Sequence, residues 1–232
     1  MNFQYTNNTL KNKFGIKDTA TLNEIEVNYT ALRLRELARD PLPGKYDFNH
    51  LRDMHKYIFQ DVYTWAGKKR NVEIVKGERL LDGESVDYTG YRSIRLHASR
   101  ILSRMNRIAW VRMSWDAQNR EFAKCFAALW SVHPFRDGNT RTIVTFCQQF
   151  ADAHGMQMDR EMFKVFNKVV RDSLVLASSA SNPDYSRLTS FIAAARERAG
   201  HEPSEPSEPE APSGDDKCDK NHCNGDNCVA AM

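Results

Sequence analysis

Apolar residues recur at intervals of three and four along almost all of the first 199 positions, the spacing that lines one face of an α-helix. Asp18 is placed to cap a helix that runs to Asp40, where Pro41 and Pro43 stop it. Asp47 caps a second, with Leu51, Met54, Ile58, Val62 and Trp65 on one side and Gly67 just past its end. A third carries Ile94, Ala98, Ile101, Leu102, Met105 and Ile108. Asp116 opens a fourth, with Phe122, Phe126, Leu129 and Trp130 on its face, and His133 extends that face from the helix end towards the interior. Ile143, Phe146, Cys147 and Phe150 mark a fifth. Two more are expected around residues 161–171 and 183–199, Pro183 suiting a first turn and Gly200 a C-terminal stop. Residues 70–80 break the rhythm, with β-branched residues before a Lys-Gly turn, a weak hairpin signal.

The pattern ends at Gly200. Residues 1–200 read as one all-α domain with an N-terminal helix, and residues 201–232 as a disordered, acidic, Pro/Ser-rich tail that buries too little apolar surface to fold. Cys218, His222, Cys223 and Cys228 lie in that tail; zinc is an alternative there, although the gaps between cysteines exceed the usual Cys-x-x-Cys. Cys125 and Cys147 fall on apolar helical faces and read as small buried hydrophobes. A net charge of +3 gives no argument for direct nucleic-acid binding, and no apolar run is long enough to span a bilayer. The polar first residues resemble no secretory signal, so a cytoplasmic location is expected, with secretion as an effector left open.

Chemistry concentrates in His133-Pro134-Phe135-Arg136-Asp137-Gly138-Asn139-Thr140-Arg141. A neutral histidine can take a proton from a hydroxyl near neutral pH. Asp137 offers the hard oxygen ligands that magnesium on phosphates needs, and Gly138 lets the backbone turn tightly. The free N–H groups and dipole at the helix start then favour a phosphate, with Asn139 and Arg141 available to bond its oxygens. Phe135 is most simply the structural anchor that buries the loop.

This stretch resembles the signature of the Fic family, His-Pro-Phe-x-Asp/Glu-Gly-Asn-Gly-Arg, at every fixed position except the second glycine, here Thr140. His50-Leu51-Arg52-x-Met54-His55-x-x-Ile58-Phe59-Gln60-Asp61-Val62-Tyr63-x-Trp65-Ala66-Gly67 is similar to the family's helix ahead of its flap, and residues 72–81 sit where members carry a flap hairpin. The resemblance covers roughly residues 10–199. It implies a Fic-type helical core with a small β-hairpin flap, and a protein adenylyltransferase that uses ATP and Mg2+ to modify a hydroxyl side chain (Ser, Thr or Tyr) of a target protein. It makes His133 the catalytic base and Asp137 the metal ligand. Gly138, Asn139, Thr140 and Arg141 form the phosphate cradle, and Lys76 and Gly77 belong to a flap that binds the target by strand addition.

The chain departs from the pattern in two places. Thr140 replaces the glycine, and Val144 stands where many members place a second arginine for the terminal phosphate. The glutamate motif Ser/Thr-x-x-x-Glu-Gly/Asn that restrains such members by pairing with that arginine is not found. Members without an internal glutamate often pair with a small antitoxin, which makes one a candidate partner here. A Doc-like protein phosphotransferase and a catalytically impaired Fic-scaffold binding protein are the alternatives.

Overall fold

A computed structural model describes residues 3–200; the thiol-bearing tail expected from residue 201 onwards lies outside them. Helix α1 (Thr19–Arg39) starts as expected, the Asp18 carboxylate accepting the Thr21 N–H at 2.7 Å. α2 (Phe48–Phe59) is capped in the same way by Asp47, which accepts the His50 N–H at 2.9 Å.

The expected reach of α2 to Trp65 is too long. Val62 and Trp65 are buried, yet they follow the helix in a turn, the N–H groups of Val62 and Tyr63 both bonding back to Phe59 O. Gly67 closes this turn at φ +78°, where a Cβ would stand 2.9 Å from Lys56 Cβ. The turn exists because Gly67 N–H reaches back to His55 Nδ1 at 2.8 Å, a contact a straight helix would not permit.

α3 (Ile94–Arg107) and α4 (Trp115–Val132) follow. The cap of α4 is Ser114, whose hydroxyl accepts the Ala117 N–H, and the expected cap Asp116 instead sits in the first turn, where its charge suits the helix dipole. α5 (Asn139–Ala153) buries Ile143, Phe146, Cys147, Phe150 and Ala151. The single helix expected around residues 161–171 is two, α6 (Arg160–Val165) and α7 (Asn167–Ala177). The break falls at Phe166, beside Asn167, whose amide bonds Lys164 O at 2.9 Å and competes with the helical ladder. α8 (Ser186–Arg198) begins after Pro183 rather than with it, Asp184 accepting the Ser186 N–H at 2.9 Å. Gly200, at φ +82°, stops it as expected.

α4 runs through the centre, packed against α3, α5, α7 and α8, while α5 lies against α2 and α2 against α1. One apolar core joins them, with Phe126, Trp130, Phe135, Phe146 and Phe150 among its fully buried side chains.

The flap is not a hairpin. Among the described residues no strand forms, and the flap contains a single isolated bridge, Gly77 to Ser85. Two side chains occupy the positions of ladder partners. Ser85 Oγ takes the Lys76 N–H at 3.1 Å, and the Arg70 guanidinium reaches both Val72 O and Thr89 O, on the two arms. Val72, Glu73 and Val75 face solvent, and a lone two-stranded ribbon is marginal without packing.

Candidate active site

α4 ends where the site begins. His133 is its C-terminal cap, in the left-handed region at φ +46°, its N–H bonded to Trp130 O at 3.1 Å. This reversal turns the ring inward, 4% exposed, against Tyr88 at 4.4 Å and Trp130 at 5.6 Å between ring centroids. Burial, and then the charges of Lys76 and Arg70, lower its pKa to about 3, so the imidazole is neutral at physiological pH. Lys76 Nζ stands 3.5 Å from Nε2, while Nδ1 is buried with no hydrogen-bond partner. A neutral ring with a contactable nitrogen can accept a proton.

The loop leaving His133 is held from three sides. Phe135 is fully buried and stacks on His55 at 3.8 Å. The Asn139 amide clasps the Phe135 backbone, its Oδ1 accepting the N–H at 2.8 Å and its Nδ2 donating to the carbonyl at 2.9 Å. His55 Nδ1 accepts from Gly67, so its Nε2 carries the proton given to Asp137 O at 3.1 Å. Burial keeps this ring neutral too, its pKa lowered to about 3. Arg70, fully buried, donates Nε to His133 O at 2.8 Å, and its main-chain N–H bonds Pro134 O.

Gly138 is required where it stands. At φ +72°, any Cβ would fall 2.1 Å from the Phe59 ring. The first intrahelical bond of α5 is from Thr142 N–H to Gly138 O at 3.0 Å, which leaves the N–H groups of Asn139, Thr140 and Arg141 ahead of the ladder. The dipole of α5 makes this turn favourable for an anion.

The side chains of the expected cradle point elsewhere. Asn139 is 3% exposed and engaged with Phe135, so its contribution to an anion would come from the backbone. Thr140 Oγ1 accepts from Trp130 Nε1 at 2.9 Å, which turns the side chain that replaces glycine aside. Arg141 pairs with Glu26 on α1, donates to Thr30 Oγ1 at 3.1 Å and lies 4.8 Å from the Phe59 ring centroid. Tyr63 also bonds Glu26. Val144 shares the half-buried side of α5 with Thr140 and Arg141.

Asp137 is exposed, one carboxylate oxygen accepting the Gly138 N–H and the other open. Among the described residues, no three His, Cys, Asp or Glu side chains cluster to hold a metal. A lone open carboxylate fits magnesium carried in on phosphates, which asks the protein for one or two carboxylates, and does not fit an ion held by the protein alone.

Sequence reasoning assigned no role to Arg70 or Glu26. Glu26 left a trace, a carboxylate in the inner stripe of α1 with Leu22, Thr30 and Leu37. Arg70 left none, because a buried arginine satisfied by carbonyls has no sequence pattern.

A helical core with a histidine capping one helix, and a glycine-opened anion turn starting the next, defines a class. A model of the Fic/DOC family matches residues 45–151. Protein adenylyltransferase VbhT of Bartonella schoenbuchensis is 33% identical over 73% of this chain, which spans 33% of that relative's length. The probable protein adenylyltransferase y4lH of Sinorhizobium fredii is 33% identical over 65% of the chain and 74% of the relative. In structure, the chain resembles the N-terminal Fic domain of a VirB-translocated Bep effector protein from Bartonella quintana, solved with bound ADP. The two share 25% identity and a TM-score of 0.68, over 83% of this chain and 93% of that one. The chain belongs to the Fic/DOC family.

Proposed function

We propose that this chain is a protein adenylyltransferase, moving AMP from ATP to a Ser, Thr or Tyr hydroxyl of a target protein. One observation carries the reading: a buried neutral imidazole, His133, and the open first turn of α5 lie at the two ends of the loop 134–138. The relatives named as adenylyltransferases, and the ADP in the Bartonella quintana domain, support the nucleotide.

In this reading the α5 N–H groups of Asn139, Thr140 and Arg141 bind the phosphates. The target hydroxyl approaches beneath Lys76 and Gly77, its oxygen attacks the α-phosphorus, and the bond to the β-phosphate oxygen breaks to release pyrophosphate. His133 takes the hydroxyl proton, Nε2 becoming available as Lys76 yields to the incoming group. Asp137 would hold magnesium brought in with the nucleotide, and the ion would supply charge neutralisation on the leaving group. Residues 1–200 act as the catalytic domain, in the cytoplasm of the producing cell or of a cell it enters. A small antitoxin that covers the flap or the nucleotide turn is a candidate partner.

The deciding experiment supplies ATP labelled at either the α or the γ phosphate. Label from the α position should appear on protein. Label from the γ position alone would replace this reading by phosphoryl transfer, which the Val144 and Thr140 departures make the second choice.

A further inference from the structure

Glu78 is 5% exposed although it lies on a flap whose other residues largely face water. Both of its carboxylate oxygens accept from one Arg171 nitrogen on α7, at 2.8 and 2.9 Å. Its backbone organises the flap turn as well: Glu78 N–H bonds Glu84 O at 2.9 Å, and Gly83 N–H bonds Glu78 O at 3.0 Å. Lys76, two residues earlier, carries the ammonium that faces His133. Tyr88, whose phenol is pushed up to about 12 by burial and then by Glu78, packs its ring on His133. The flap is therefore fixed at two points, Arg70 at its root and Glu78 near its tip, with no ladder between.

The geometry points to Arg171 and Glu78 as a positioning pair for the protein acceptor: their ion pair docks the flap on α7 and so sets Lys76 and the flap edge over His133. Arg171 satisfies the Glu78 carboxylate from outside, which leaves Lys76 free to face the base. Without Arg171, Glu78 keeps the Tyr88 hydroxyl but loses its charge partner while buried, and both ways of regaining one harm alignment. It swings to water and takes the flap turn along, or it draws the neighbouring Lys76 away from His133. Neither residue touches the α5 turn, so nucleotide binding is left intact. This deepens the adenylyltransferase reading and rests on it for the acceptor step.

The test uses the full chain with Arg171→Gln, Glu78→Gln, the double variant and Arg171→Lys. Acceptors are the proteins of a bacterial lysate, with α-labelled ATP as donor. Arg171→Gln should raise the apparent KM for lysate protein on the order of tenfold, as misplacement of a reacting group does, with calorimetric affinity for ATP and magnesium unchanged. Arg171→Lys should restore most of the loss, and the double variant should be no worse than Glu78→Gln alone. Additive losses, or an equal fall in ATP affinity, would overturn the proposal. Hydrogen exchange separates this from the functional reading, since it needs no turnover. The Glu78 and Gly83 amides should exchange faster in Arg171→Gln while those of α5 do not. If wild type transfers nothing, the adenylyltransferase reading falls, and unchanged exchange at those amides would sink the clamp independently.

Discussion

His133 owes its neutrality to burial first and to the Lys76 and Arg70 charges second, and this has a consequence for stability. Its pKa is about 3 in the fold against an ordinary 6.5, so between those values the unfolded chain binds more protons. Stability is then complete above about pH 6.5 and falls as pH drops towards 3, by on the order of 1.4 kcal/mol per pH unit for such a group. His55 adds to the same slope. His133→Ala should therefore flatten the decline of urea-unfolding free energy between pH 6.5 and 4.5, and equal slopes in both proteins would show that the ring is not held neutral. The same substitution should lower AMP transfer by roughly a hundred- to ten-thousand-fold, the usual effect of removing a general base, with far-ultraviolet circular dichroism unchanged. Gly138→Ala tests the turn beside it. The new methyl meets the Phe59 ring in a left-handed backbone, so unfolding free energy should fall by about 2 kcal/mol or more. The motif residues were legible because their types and spacing state a chemistry. The inward aim of Asn139 and the pairing of Arg141 were not, since the first is set by how the loop folds the Phe135 backbone against the amide, and the second by Glu26, 115 positions away.

At the level of elements, the Asp-capped start and proline stop of α1 were readable, as was the glycine stop of α8, though not its start. What failed were the endings decided by tertiary contacts. α2 stops at Phe59 because Gly67 returns to His55, and the flap stays unladdered because Arg70 and Ser85 fill the places of strand partners. α1 shows why an element outside the motif still bears on it. Glu26 is nearly buried and holds both Arg141 and Tyr63, fixing α1 to the first turn of α5. Glu26→Gln keeps the shape and removes the charge, leaving Arg141 to solvent on its open side. The expected outcome is a loss of about 1–2 kcal/mol in unfolding free energy. A midpoint equal to wild type in chemical denaturation would show that α1 is docked by its apolar stripe alone.

Across the whole molecule, the helical class was legible in the three-and-four apolar rhythm, and the loss of that rhythm where proline and glutamate take over is the ground for expecting a boundary near Gly200. The packing of the last described helix gives that expectation a test. α8 closes the core against α4 and α7, with Leu188, Ile192 and Ala195 buried, and Arg196 lies 3.8 Å over the Trp115 ring while bonding Asn119 and Gln118. After Arg198 the helix closes in a tight turn, Ala199 N–H bonding Arg196 O and Gly200 N–H bonding Glu197 O, and the left-handed backbone of Gly200 ends it. The described helices close the core by Gly200, so a chain ended there is expected to keep its stability. For a domain of this size each kcal/mol moves the melting temperature by roughly 2–4 °C, so the shortened chain should melt within about 4 °C of the full one. Calorimetric scans of both, with and without added zinc, make the check. A larger drop would mean that residues beyond 200 pack on the core, and a zinc-dependent gain confined to the full chain would assign Cys218, His222, Cys223 and Cys228 to a metal.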